Sequence, residues 1–148
     1  MRGALFNMLG DIEGLSVLDA FAGSGALGFE AISRGAKSAL LIDSDRSAQK
    51  TIDQNSKQLG MANSVKLIKA SANAWLGTNQ DTLFDIVLCD PPYHDLQPNL
   101  LARLAACVKP GGLFVLSWPG SEPLPELPGL QLLQGRSYGD GQLGFYRR

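Results

Sequence analysis

The sequence predicts an α/β fold in which a mostly parallel sheet has helices on both faces and ends in an antiparallel hairpin. Three observations support this class. Short apolar runs alternate with amphipathic stretches along most of the 148 residues, as in repeated strand and helix units. A glycine-rich turn joins the first apolar run to the first long amphipathic stretch. A proline cluster then ends the alternation after Trp118, and two apolar stretches separated by a tight turn follow it.

The predicted elements follow the chain in a simple order. A short helix occupies residues 1–9. Strands are expected at 16–21, 38–43, 64–69, 84–90 and 112–118, and helices at 26–34, 46–59 and 99–108. Four prolines between residues 119 and 128 would interrupt any further crossover helix. The stretches 130–137 and 142–147 flank a Gly-Asp-Gly turn, which predicts the terminal hairpin.

Composition narrows the protein class. Hydrophobic residues make up 45% and charged residues 18% of the chain, which excludes a charged disordered chain, and residues 1–148 have the length of one domain. Cys89 and Cys107 lie in apolar stretches without metal-ligand spacing, so we expect reduced core residues, no metal site and a cytoplasmic protein. No apolar run reaches membrane-spanning length and the amino terminus lacks a signal sequence, so we expect neither membrane insertion nor export.

Basic residues are unevenly distributed. The net charge of -1 does not by itself indicate a nucleic-acid partner. From Ala70 to Ala102 there is no Lys or Arg, whereas Lys50, Lys57, Lys66 and Lys69 lie just upstream. A polyanion would therefore have to be held mostly by surfaces outside the 70–102 segment, or by other chains.

A glycine pattern after the first predicted strand indicates a cofactor site. Gly23, Gly25 and Gly28 form G-x-G-x-x-G between a strand and a helix. Glycines allow a tight turn and a close approach of the backbone to a ligand. Asp43 closes the next strand, where a carboxylate can accept hydrogen bonds from both ribose hydroxyls. This arrangement predicts a cofactor that contains adenosine.

The charge of Asp19 favours one such cofactor. In a nicotinamide site the loop faces a pyrophosphate, which an acidic residue just before the loop would repel. S-adenosylmethionine has no phosphate and carries an ammonium and a sulfonium group, so a carboxylate at the strand end helps to bind it. A nicotinamide dehydrogenase is therefore the weakest of the functions considered.

The segment Asp90-Pro91-Pro92-Tyr93 follows the fourth predicted strand, beside the first strand at the switch point of the sheet. The two prolines have no N–H and keep the backbone extended, so the segment presents carbonyl oxygens and one carboxylate. Such acceptors suit both hydrogens of an amino group whose nitrogen must attack a methyl group. Tyr93 can stack on a flipped-out base. We call residues 90–93 the acceptor strip.

Several short motifs together resemble one family. They are Leu5-Phe6-Asn7, the loop from Phe21 to Gly28, Glu30-Ala31, Ser33-Arg34-Gly35-Ala36 and the acceptor strip. With these motifs the chain resembles the RsmD-type bacterial methyltransferases of guanine N2 in small-subunit (16S) ribosomal RNA. The resemblance implies a Rossmann-like class I methyltransferase fold with seven strands. It also implies S-adenosyl-L-methionine as cofactor, held by Asp19, Phe21, Gly23, Ser24, Gly25 and Gly28 with Asp43 on the ribose, and recognition of the target amino group by Asp90, Pro91, Pro92 and Tyr93.

Further expectations concern the adenine and the RNA. Many relatives of the fold place an Asp or Asn after strand three against the adenine, and here we expect Ser71, beside Ala72, with Asn73 as the alternative. The resemblance implies 16S ribosomal RNA as partner, within a small-subunit assembly particle, and we expect a monomer. Family members carry a basic extension ahead of the Leu-Phe-Asn helix. This chain begins at Met1-Arg2, so we expect it to bind naked RNA weakly.

Alternatives remain at this stage. The acceptor strip recognises an amino group rather than a whole base, so adenine N6 of DNA or a protein glutamine amide are other possible substrates. A shortened homologue that binds the cofactor without turnover is the third possibility. His94 follows the strip, but methyl transfer from a sulfonium leaves an acidic amine that water deprotonates, so we do not expect a catalytic histidine. Trp75 and Trp118 are expected in the core, and Arg147 and Arg148 in a solvated tail.

Overall fold

The computed structural model describes residues 2–148, and Met1, which the sequence assigns to the first helix, lies outside the described residues. Helices and strands alternate as predicted. In chain order they are α1 (Arg2–Leu9), β1 (Ser16–Asp19), α2 (Ala26–Ser33), β2 (Ser38–Ile42), α3 (Arg46–Gln58), β3 (Val65–Ile68), α4 (Ala72–Leu76), β4 (Phe84–Cys89), α5 (Pro98–Ala105), β5 (Val108–Pro119), β6 (Gln131–Tyr138) and β7 (Gly141–Arg147).

One seven-stranded sheet has the order β3-β2-β1-β4-β5-β7-β6. The first five strands are parallel, and β7 pairs antiparallel with both β5 and β6. The predicted class, a mostly parallel sheet with a carboxyl-terminal antiparallel hairpin, is confirmed. The order reverses between β1 and β4, because the chain goes first to β2 and β3 and then returns to the other side of β1. Such a switch point opens a crevice at the carboxyl ends of the strands.

Helices cover both faces of the sheet. On one face α1, α2 and α3 bury Leu5, Phe6, Phe29 and Ile52 against the strands. On the other face α4 and α5 bury Trp75 and a row of leucines. All four residues of β1 are buried, as expected for a strand with helices on both sides. Among residues 2–148 no helix combines the length and apolar character needed to cross a bilayer.

The structure differs from the predicted boundaries mainly around β5. The predicted helix 99–108 ends at Ala105, and β5 begins at Val108 rather than at 112. Val108 pairs with Phe84, and the ladder shifts register before it resumes with Ile86 opposite Leu113. This irregularity contains Gly111 and Gly112, which hid the start of the strand in the sequence. Helix α4 was not predicted, because five residues are too few to give a helical period.

Both carboxyl-terminal arginines make hydrogen bonds to the chain, so the prediction of a solvated tail is wrong for the half-buried Arg148, whereas Arg147 stays exposed. Arg148 Nη2 donates to the Ala105 carbonyl at 2.9 Å, and Arg147 Nη1 donates to the Gly111 carbonyl at 3.1 Å. Arg147 ends β7 and Arg148 follows it, and the pairing of β7 with β5 carries both to the end of α5 and the β5 irregularity. Trp75 and Trp118 are buried as predicted, and both cysteines are buried with free thiols.

Candidate active site

A pocket of about 610 Å³ lies in the crevice at the carboxyl ends of β1, β2, β3 and β4. It brings together ten of the residues singled out in the sequence, which come from four separate segments: Phe21, Gly23, Asp43, Ser71, Ala72, Asn73, Asp90, Pro91, Pro92 and Tyr93. Sequence reasoning missed several other lining residues, namely Ala20, Ile42, Ser44, Ala70, Gln97 and Leu100. These residues belong to no recognisable motif. They line the pocket because the fold places neighbouring segments of the chain there.

The three glycines of the β1–α2 loop have different environments. Gly23 adopts a positive φ of 58° and lines the pocket, where a Cβ would meet nothing within 4 Å. Gly28 lies behind the pocket, where a Cβ would be 2.5 Å from Leu41 Cδ1, so its role is close packing of α2 on β2. Gly25, with φ of 84°, caps the amino end of α2 and also packs inward. Ser24, Gly25 and Gly28 do not line the pocket.

Asp43 ties the glycine loop to the next strand. Its Oδ2 accepts a hydrogen bond from the Gly23 N–H at 2.8 Å, and its Oδ1 accepts one from the Asp45 N–H at 2.9 Å. The sequence spacing suggested a ligand contact, and the structure adds this intramolecular clasp. Each carboxylate oxygen can accept a further hydrogen bond. Asp43 therefore shapes the pocket and remains available as an acceptor within it.

Asp19 is a buried carboxyl without a partner. Its side chain is 1% exposed, and neither oxygen has a hydrogen-bond partner among residues 2–148. The pKa of Asp19 is raised to about 7, mainly by burial and to a smaller extent by the nearby carboxylates of Asp90 and Asp43. The Phe21 N–H offsets this in part, although its geometry falls short of a hydrogen bond. Such a group is costly to ionise unless a cation or hydrogen-bond donors reach it. Asp19 itself does not line the pocket, but the next two residues, Ala20 and Phe21, do, so a positively charged group bound there would lower the cost of ionising Asp19.

The acceptor strip leaves β4 and crosses the pocket. Asp90 is solvent-accessible at the pocket wall, but protein packed on its other sides raises its pKa, and the Ser117 hydroxyl partly offsets this effect. Tyr93 is 43% exposed, as a stacking residue would be. His94 is exposed and does not line the pocket.

A network of hydroxyl groups holds Tyr93 of the acceptor strip against β5. Tyr93 Oη donates to the Trp118 carbonyl at 3.0 Å and lies 3.1 Å from Ser117 Oγ. Ser117 Oγ lies 2.9 Å from Tyr138 Oη and is 5% exposed. Because the one hydrogen of the Tyr93 hydroxyl goes to the Trp118 carbonyl, Ser117 is the donor whenever the Ser117–Tyr93 hydrogen bond forms. No sequence pattern indicates this network beyond a serine within the apolar strand β5.

Polar side chains at the β3 end of the pocket are already engaged. Ser71 caps α4, and its Oγ accepts a hydrogen bond from the Ala74 N–H at 3.1 Å. Asn73 Nδ2 donates to Gln97 Oε1 at 3.3 Å, and Asn73 Oδ1 accepts from Arg103 at 2.9 Å. Gln97 has a φ of 45°, which is unusual for a residue with a side chain. These hydrogen bonds hold Ser71 and Asn73 in place at the pocket wall. Their contacts with adenine stay predictions.

With this geometry established, comparison with known proteins identifies the family. A family model described as "Conserved hypothetical protein 95" matches residues 1–147. The chain belongs to the RsmD/YlbH family. This family consists of class I methyltransferases that depend on S-adenosylmethionine, and the sheet described above is their Rossmann-like fold.

Individual members give the degree of similarity. Ribosomal RNA small subunit methyltransferase D of Buchnera aphidicola is 39% identical over 95 residues, which are 64% of this chain and 49% of that protein. The match thus spans about half the length of that relative. Its namesake from Haemophilus influenzae is 31% identical over 145 residues, 94% of this chain and 75% of that protein. A solved structure of a conserved hypothetical protein from Streptococcus pyogenes has a TM-score of 0.91 and 33% identity, and the match covers 100% of this chain and 95% of that one.

Proposed function

We propose that this chain transfers a methyl group from S-adenosylmethionine to the exocyclic N2 amino group of a guanine in 16S ribosomal RNA. The observation that carries the proposal is the position of the acceptor strip. Asp90 and Tyr93 line the same pocket as Asp43 and the Gly23 turn, so a target amino group and a cofactor would meet there. Family membership supports the reaction class, and relatives named as small-subunit ribosomal RNA methyltransferases support the substrate.

Each part of the cofactor has a matching group in the pocket or, for Asp19, directly beside its lining residues Ala20 and Phe21. When bound, S-adenosylmethionine supplies an electrophilic methyl group on a sulfonium. Asp19 would balance the ammonium charge, directly or through water, which would relieve the cost of its buried and unpartnered carboxylate. Asp43 would accept hydrogen bonds from the ribose hydroxyls. Ser71 and Ala72 would contact the adenine, whose apolar faces suit neighbouring walls such as Ile42.

The acceptor strip would prepare the target nitrogen. An aromatic amino group is a weak nucleophile because its lone pair is delocalised into the ring. The Asp90 carboxylate and the Pro91 carbonyl would accept its two hydrogens and favour a pyramidal nitrogen whose lone pair points at the methyl group. Tyr93 would hold the base by stacking. The methylated amine is strongly acidic, so water takes its proton and the chain needs no general base.

The nucleoside product distinguishes this proposal from its alternatives. Small ribosomal subunits from a bacterial strain that lacks its own family member would be incubated with the protein and labelled S-adenosylmethionine, then digested to nucleosides. We expect label in N2-methylguanosine, and its loss in Asp90→Ala, which keeps cofactor binding. Label in N6-methyladenosine would overturn the choice of base. Cofactor binding without any transfer would identify a binding homologue instead. S-adenosylhomocysteine should raise the melting temperature, whereas NAD should not.

A further inference from the structure

A basic groove lies beside the cofactor pocket, between α3 and the end of the edge strand β3. Arg46, Lys50, Asp53 and Lys57 fall at helical spacing along one face of α3, and Lys69 at the end of β3 faces them. The groove has a volume of about 550 Å³. It contains four cations and one carboxylate, in a chain whose net charge is -1. We refer to these five residues as the α3 groove.

The cations of the α3 groove are free to bind a ligand. Within residues 2–148, Arg46, Lys50 and Lys57 have no carboxylate within 4.0 Å, and all three are exposed. Lys69 pairs with Asp53 at 3.4 Å, but the two side chains are 60% and 48% exposed. An ion pair that is so exposed to water stabilises the fold little, so Lys69 can exchange Asp53 for another anion at small cost.

Several basic residues elsewhere already have intramolecular partners. Arg2 and Arg34 both bind Glu30, and Lys109 binds Asp85. The carboxyl-terminal arginines and Arg103 donate to carbonyl or amide oxygens. The α3 groove is therefore the densest set of available positive charge in the described chain.

The groove is also correctly placed for the RNA that flanks the target base. The segment 70–102, which includes the acceptor strip, has no Lys or Arg, so phosphates beside a flipped base need cations elsewhere. Strand β3 lies three strand spacings from β4, or about 14 Å. A stacked strand covers that distance in about four nucleotides at about 3.4 Å each. Ser44 and Ala70 line the pocket, while Arg46 and Lys69 line the groove, so the two are adjacent.

We infer that the α3 groove binds the phosphate backbone of the substrate RNA, a few nucleotides from the base held by the acceptor strip. This inference rests on the proposed function for the identity of the RNA. It assigns to the chain's own surface a contact that the sequence alone left open. The binding would not depend on base sequence, because phosphate contacts position a nucleic acid without reading it.

The test compares two double variants with the same change in charge. Lys50→Gln/Lys57→Gln neutralises the groove. Lys37→Gln/Arg136→Gln neutralises two exposed basic residues outside the groove, neither of which has a carboxylate within 4.0 Å among residues 2–148. Binding of unmodified 16S ribosomal RNA transcribed in vitro is measured over a range of salt concentrations. For the groove variant we expect the slope of log K against log salt to become less steep by about 0.7 to 0.9 per lysine, with S-adenosylhomocysteine affinity unchanged. The control variant should keep the wild-type slope.

The outcomes separate this inference from the proposed function. Equal slopes for the wild type and the groove variant would overturn the inference, and so would a wild type that binds no RNA. If the groove variant loses activity only on assembled particles and binds naked RNA normally, the groove contacts a ribosomal protein and the inference is also overturned. Methylation of small subunits by the wild type is scored separately. Its absence would refute the proposed function, whereas the salt slope requires no turnover.

Discussion

Replacing Asp19 with asparagine tests whether a buried carboxylate is kept for the cofactor at the expense of stability. The pKa of Asp19 is about 7 in the folded chain, against an ordinary 3.8, and burial is the main cause. Because the folded-state pKa is the higher one, neutral Asp19 contributes its full stability below about pH 3.8. That contribution is lost as the pH rises towards and through 7.

The size of the effect follows from the two pKa values. At about 1.4 kcal/mol per pKa unit, the destabilisation from Asp19 grows from about 2 kcal/mol at pH 5 to about 4 kcal/mol at pH 8. Asparagine carries no charge at either pH, so Asp19→Asn should remove this change of about 2 to 3 kcal/mol. A buried amide without partners has its own cost, but that cost does not depend on pH.

Urea unfolding at pH 5 and pH 8 measures the difference directly. The wild type should lose more free energy of unfolding between the two pH values than Asp19→Asn does. Asp81→Asn, which changes an exposed carboxylate in the loop before β4, should behave as the wild type. The same Asp19 variant should bind S-adenosylmethionine more weakly at pH 8. An unchanged pH dependence in Asp19→Asn would refute the electrostatic account of this residue.

The remaining predictions concern the pocket wall. Asp43→Ala should weaken S-adenosylhomocysteine binding by about 1 to 3 kcal/mol in calorimetry, because the variant loses the proposed ribose acceptor and the clasp on Gly23. Unchanged affinity would contradict the ribose assignment. Gly28→Ala should lower the free energy of unfolding by about 1 to 3 kcal/mol, since its Cβ would overlap the Leu41 side chain. Tyr93→Phe should lower kcat several-fold and Tyr93→Ala much more in methylation assays, and equal losses would assign the whole effect to the hydroxyl.

The sequence predicted which segments meet at the pocket because its signals are local. The glycine loop, Asp43 and the acceptor strip each follow directly after a strand, and parallel strands bring their carboxyl ends to one edge. The sequence pattern of strands and loops is therefore sufficient to predict where the pocket lies. It did not separate the glycine that lines the pocket from those that pack helix α2, because that distinction depends on Leu41 of a different strand.

The sequence could not predict contacts whose partners lie far apart in the chain. Tyr93 meets Ser117 because β5 pairs with β4, and Ser117 meets Tyr138 because the hairpin folds back beside β5; the bonded residues are 24 and 21 positions apart in the chain. The Arg148 contact with the Ala105 carbonyl depends on the same return of the chain. Asp19 stands out in the sequence because of its charge. Its complete burial follows from the helices on both faces of β1, and no local sequence pattern indicates it.

These contacts divide the site into two halves with different supports. The proposed cofactor groups stand on β1, β2 and β3 and are joined by the Asp43 clasp on Gly23. The proposed target groups stand on β4 and are held from β5 and the terminal hairpin, where a Cβ on Gly141 would lie 2.8 Å from Tyr93 Oη. Because the Asp43 clasp and the hydroxyl network on Tyr93 have no residue in common, a change in the hairpin should reduce turnover while cofactor affinity persists. The hairpin is thus part of the active site's support, although none of its residues lines the pocket.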